Sequence, residues 1–119
     1  MNDKKQPSNR QLKVGQQIRF LVSNFFIKED FIFENFDSKN LTIVDVILTP
    51  DLKNAKIFVT TNSETENKIF IDELNYKSKL IQGKIASNLT SKFTPKIKFF
   101  FDNSFEYSNK IYNILETIK

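Results

Sequence analysis

No cysteine and no histidine occur anywhere in the sequence. The first absence excludes disulfides, thiolate nucleophiles and cysteine-held metals. The second removes the commonest general base and zinc ligand. Tryptophan is missing as well, and there are only 2 glycines and 3 prolines. No apolar run approaches the roughly 18 residues that a membrane helix needs. Met1–Asn9 is polar with no hydrophobic segment behind it, so no signal peptide is read there. Of the acids, Asp51 sits in turn chemistry and Asp102 just before an expected helix, which with Asp45 leaves no convincing catalytic or metal set. The sequence therefore predicts no enzyme, no cofactor and no membrane partner, and a cytoplasmic location.

Acid is absent from one long stretch. Between Lys77 and Lys98 there is no Asp or Glu, while Lys77, Lys79, Lys84, Lys92, Lys96 and Lys98 all fall inside it. A bias toward A/T-rich codons raises the lysine count but does not empty a window of acids. A segment that is amphipathic and one-signed sets one side against a core and turns the other toward an anion. The plain alternative is a solvated helix face, which is what most lysine runs are.

What is present suits one folded domain. The chain has 119 residues, 39% of them hydrophobic, with 13 Phe and a formal net charge of +4. That is long enough to bury a core, and the charge favours a polyanionic partner. Residues 1–9 read as a disordered lead-in and 10–119 as a single domain. Val14, Ile18, Leu21, Val22 and Phe25 recur at helical spacing, predicting a helix from Arg10 that fades near Lys28. Glu29–Asn40 is acidic and rich in Phe, either a short extended piece or a loop anchored by its aromatics. Leu41–Leu48 and Ala55–Thr61 predict strands, and the turn chemistry of Thr49–Asn54 joins them as an antiparallel hairpin. Asn62 and Ser63 are cap types for a helix reaching about Tyr76, with Ile69, Phe70 and Leu74 inward. Ser78, as an N-cap, opens another through about Ser91. Its Ile81, Ile85 and Leu89 share one side, with Lys79, Gly83, Ser87 and Lys84 roughly opposite. Pro95 ends that helix, and Lys96–Phe101 predicts a third strand with Phe99 and Phe101 inward. Phe100 is the only ring of this run left for base stacking, and core packing is the expected use of the run. Asn103–Glu106 has capping-box character and leads to a last helix with Tyr107, Ile111, Ile114, Leu115 and Ile118 as its stripe. Three strands with helices on one face make an α+β domain.

Three stretches in this order resemble a known family. They are Arg10-x-x-Lys13-Val14-x-x-x-Ile18, then Asp45-Val46-x-x-Thr49-Pro50-Asp51-Leu52-x-x-Ala55-Lys56-Ile57-Phe58-Val59, and finally Thr94-Pro95-Lys96-Ile97-x-Phe99-x-Phe101-Asp102-x-Ser104-x-Glu106. Together they resemble bacterial ribosome-binding factor A, an assembly factor of the small ribosomal subunit. The resemblance implies a KH-like type II domain in the order helix-strand-strand-helix-(kink)-helix-strand-helix. It also implies that an Ala-x-Gly kink replaces the GxxG loop of conventional KH domains. The implied function is binding of the free or immature small ribosomal subunit and its rRNA, with support of 5′-end maturation and growth in the cold. The implied partners are that subunit and an assembly GTPase. Here the kink position reads Lys77-Ser78-Lys79, with neither Ala nor Gly. Either Ser78 preserves the break or the two helices run on as one.

The candidate RNA-binding residues are Arg10, Lys13, Lys77, Ser78, Lys79, Lys84 and Lys92. On a helix, Lys77 and Lys84 lie two turns apart, roughly 10 Å. Lys96 and Lys98 either extend that surface or keep an edge strand soluble. The expectation is a monomer that grips rRNA by backbone and shape. Reversing the charges of Lys79 and Lys84 is then expected to abolish function with little change in melting temperature. The competing expectation is a protein-interaction module whose basic face meets an acidic protein, RNA contact being incidental.

Overall fold

Helix α1 (Asn9–Ile27) opens on a capping box. The Ser8 hydroxyl accepts from the Gln11 N–H at 3.1 Å, and the Gln11 side chain accepts from the Ser8 N–H at 2.8 Å. This starts the helix one residue before Arg10 and takes Ser8 and Asn9 out of the expected lead-in. The computed structural model describes residues 6–61, 66–89 and 93–102. The Asn62-Ser63 cap, Lys92 and the expected last helix from Asn103 lie outside them.

At its other end α1 stops in a Schellman motif. Glu29 adopts the left-handed conformation (φ 56°), its N–H reaches the Phe26 carbonyl at 3.2 Å, and the Asp30 N–H reaches the Phe25 carbonyl at 2.9 Å. The motif sets Asp30 beside the last turn of the helix, within reach of Lys84.

Strands β1 (Leu41–Leu48) and β2 (Asn54–Thr61) form the expected antiparallel hairpin, with an irregularity between Ile43 and Asp45. In the turn, Asp51 Oδ1 accepts from the Thr49 hydroxyl at 2.6 Å and the Lys53 N–H at 3.0 Å. Those bonds hold its carboxyl below the usual range, and they offset the left-handed backbone of Leu52 (φ 61°). Strand β3 (Lys96–Phe101) pairs parallel to β2, giving the order β1-β2-β3. Parallel neighbours require a crossover, and helices α2 (Asn67–Tyr76) and α3 (Ser78–Asn88) supply it.

Alternation along the strands sends Ala55, Ile57, Val59, Ile97 and Phe99 to the helix side. There they join Ile18, Val22 and Phe26 of α1, Phe70 and Leu74 of α2, and Ile81 and Ile85 of α3 in one core. One facing assignment changes. Ile69 points outward and Ile71 is half-buried instead, because Phe70 and Leu74, one turn apart, fix the inward face. Helix α3 stops at Asn88, short of Ser91, with Leu89 already extended. The Ser87 hydroxyl and Asn88 amide bond the Gly83 and Lys84 carbonyls at 3.2 and 2.9 Å, competing with helix propagation.

Gly15 marks the tightest approach of α1 to the sheet. A methyl group there meets the Val46 carbonyl oxygen at 3.0 Å and Leu48 Cδ2 at 3.4 Å. Gly15→Val is expected to push α1 off β1 and to lower stability by about 1–3 kcal/mol, measured by urea unfolding; an unchanged midpoint would contradict this contact.

Candidate nucleic-acid interface

The break between α2 and α3 is present without a small residue. It falls at Lys77 (φ −93°, ψ 7°), whose N–H is shared between the Glu73 and Leu74 carbonyls, both at 3.2 Å. Ser78 is the first residue of α3 and caps nothing through its side chain, unlike its expected role. The interruption is slight, since the Ile81 N–H still bonds the Lys77 carbonyl at 3.1 Å.

What holds this corner is the Phe-rich segment after α1, which is the anchored loop of the two alternatives. Phe33 stacks on Phe36 with centroids 4.5 Å apart, and Phe36 meets Phe70 of α2 edge-on at 5.2 Å. Three residues of the crossover then clasp the loop from outside. Glu73 accepts from the backbone N–H groups of Glu34 and Asn35 and from the Asn35 amide. Lys77 Nζ donates to the Ile32 carbonyl and lies 5.2 Å over the Phe33 ring. Lys84 Nζ pairs with Asp30 at 2.9 Å and lies over Phe25 and Phe31 at 5.1 and 5.7 Å.

Lys84 is therefore not opposite the apolar stripe. It follows Ile81 by three positions, about 60° around the helix, and so flanks the core where the loop arrives. The expectation that Lys79 and Lys84 together can be reversed without loss of stability changes accordingly. A glutamate at 84 faces Asp30, so that variant mixes a folding defect with any binding defect.

Burial works against the charged form of Glu73, but the Glu34 and Asn35 donors outweigh it and hold the carboxyl below its ordinary 4.5. A lowered folded pKa contributes stability that is complete above the unfolded value and lost as pH falls through the folded one. Amide protection at Glu34 and Asn35, taken relative to the intrinsic exchange rate at each pH, is thus expected to fall as Glu73 is protonated below the ordinary carboxylate range, before global unfolding. Glu73→Ala is expected to cost about 1–2 kcal/mol and to give the fast exchange at neutral pH; slow exchange in that variant would contradict the clasp.

The remaining predicted cations fall elsewhere. Arg10 lines a cleft of ≈ 590 Å³ together with Lys53, Gln82, Phe93 and Lys96. Lys13 on α1 and Lys79 on α3 are exposed, and Ser78 is half-buried. Among the described residues only Lys39 and Lys84 make ion pairs, so Arg10, Lys13, Lys53, Lys79 and Lys96 make none. The structure thus divides the sequence-predicted set into loop-holding lysines and free cations. Lys53 was missed because a lysine in a turn reads as solvation. Glu73 was missed because nothing local signals a carboxylate that caps a loop 39 residues away.

A family model described as ribosome-binding factor A matches residues 10–115. The chain belongs to the ribosome-binding factor A family. The ribosome-binding factor A of Pelagibacter ubique is 33% identical over 109 residues, covering 92% of this chain and 89% of that protein. That of Bartonella henselae is 36% identical over 118 residues, covering 94% and 86%. Among solved structures, a Thermotoga maritima protein described as a putative ribosome-binding factor A matches with a TM-score of 0.66 and 21% identity, over 82% of this chain and 91% of its own. A homology model of Thermus thermophilus ribosome-binding factor A, as fitted into the cryo-EM map of its complex with 30S, matches with a TM-score of 0.61 and 15% identity, over 75% and 91%. The fold is the α+β, KH-like fold of ribosome-binding factor A, and in this member a lysine occupies the break.

Proposed function

We propose that this chain binds the free or immature small ribosomal subunit through its rRNA and assists late maturation, including processing of the rRNA 5′ end. The observation that carries the reading is the family match across residues 10–115. It is supported by exposed cations that make no ion pair on α1, α3 and the start of β3, and by Lys53 of the hairpin turn, whose neighbouring charge is Asp51 in the same cleft. Arg10, Lys13 and Lys79, with Lys53 and Lys96, meet phosphate; Lys92 belongs to the same acid-free stretch of sequence. Lys77 and Lys84 shape the corner beside them, with Ser78 between. The protein acts as a cytoplasmic monomer, without catalysis, has an assembly GTPase as a further partner, and matters most in the cold. No GxxG loop is present, so conventional four-nucleotide KH clamping is not part of the reading.

Cells lacking the chain are expected to show surplus free small subunits with an unprocessed rRNA 5′ end, more so at low temperature, on density-gradient profiles. A normal profile would overturn the proposal. Association that survives complete rRNA digestion would instead favour an acidic protein partner.

A further inference from the structure

The side of the sheet away from the helices carries an arrangement that the basic helical face does not explain. Strand alternation places Phe58 and Phe100 there in register, stacked with centroids 5.6 Å apart and planes at 27°. Lys56 and Lys98, also in register, hold their ammonium groups 5.8 and 5.4 Å from the Phe100 ring centroid. Lys96 continues the row along β3, and a cavity of ≈ 440 Å³ runs beside Phe100, lined by Lys56, Lys96 and Lys98.

Solubility explains the lysines alone but not two half-buried phenyl rings set between them. Asp45 lies on this face by register, opposite Phe58, with its Oδ1 accepting from the Val46 N–H, and Asp102, two residues past Phe100, closes the row at its end. The two rings already stack on each other. A nucleobase extends that stack on Phe100 in place of the ammonium groups held over the ring, which then turn to the phosphates on either side. An acidic peptide would use the charges but not the rings. A purely apolar partner would bury three ammonium groups without counter-charge, at a large desolvation cost.

We infer that the open sheet face is a second nucleic-acid site, taking an unpaired RNA segment with one base on Phe100 and its neighbouring phosphates on Lys56, Lys98 and Lys96. This deepens the proposed rRNA-binding function and rests on it. It assigns the helical cations to structured rRNA and the sheet to a single strand. Phe100 acts here as a ring, not as core.

The test is anisotropy of a labelled, unstructured oligoribonucleotide, titrated with the full chain over a salt series. Phe100→Leu keeps apolar volume but removes the stacking plane, and is expected to weaken binding about 5- to 150-fold with an unchanged salt slope. Phe100→Tyr is expected to restore it. Lys56→Gln and Lys98→Gln are each expected to lower the slope by about 0.7. Melting temperatures of all variants are read in parallel, so a folding defect is recognised as such, and Phe58→Leu provides a second ring variant should Phe100→Leu fail to fold. Oligonucleotide affinity equal to wild type in both ring variants overturns the inference. So does concentration-dependent self-association of the wild type that either ring variant abolishes, which assigns the face to a second copy. Co-sedimentation with purified small subunits separates the two levels. Wild-type chain that pellets with subunits while the ring variants bind oligonucleotide normally removes this site and leaves the proposed function. Wild-type chain that ignores subunits removes the function itself.

Discussion

Phe70→Ala is expected to destabilise the fold by about 3–5 kcal/mol, a large part of the 5–15 kcal/mol typical of a domain. Phe70 has no solvent exposure and stands where three parts of the molecule meet. Its ring contacts Phe36 of the loop at 5.2 Å and Phe101 of β3 at 6.1 Å, both edge-on, while its backbone belongs to α2. Truncation removes the transfer free energy of the ring and leaves a cavity between rigid elements that cannot both close on it. The loop then loses the surface on which Phe33 and Phe36 are stacked. Denaturant unfolding measures the loss, and a change below about 1.5 kcal/mol, the range of volume-conserving swaps, would show that the core repacks freely there.

Association with small subunits is expected to fall by about 10³–10⁵ between 50 and 200 mM salt if six to ten phosphates are contacted. Surface ammonium groups act as point charges whose binding free energy comes largely from released counterions, so the logarithm of affinity falls linearly with that of salt. The five free cations named above, with the sheet-face lysines, are enough for that slope. Lys77 and Lys84 contribute little to it, because a loop carbonyl and Asp30 already hold them. A flat salt dependence, measured by pelleting over the same range, would mean that apolar contact dominates.

Much of the fold was legible because its signals are local. The β1 bounds follow from a run rich in β-branched and aliphatic residues, those of β3 from the stop at Pro95 and the alternation after it, and the hairpin turn from the Thr49 and Asp51 side chains, which accept from the Asn54 and Lys53 N–H groups. The start of α1 was off by one residue because the Ser8–Gln11 box involves a pair lying just before the apolar stripe. The candidate site was less legible. Counting degrees around α3 placed Lys79 well but not Lys84, whose partner Asp30 is set by the Schellman turn ending another helix. The role of Glu29–Asn40 needed the same knowledge: its Phe residues announce anchoring, but only the tertiary structure shows that Glu73, Lys77 and Lys84 are the anchor points. Alternation alone left Phe100 as the one ring of Phe99–Phe101 available for stacking, with core packing the expected use of the run. The register that pairs Phe100 with Phe58 on the open face is a non-local fact.

The most direct measurement is pelleting of the Arg10→Glu/Lys13→Glu/Lys79→Glu chain with purified small subunits at low salt, beside its melting temperature. All three positions are exposed and none makes an ion pair. The expected result is a wild-type melting temperature with association weakened by orders of magnitude and the salt slope of the residual binding reduced by about 2–3. A triple variant that pellets as well as the wild type would contradict it.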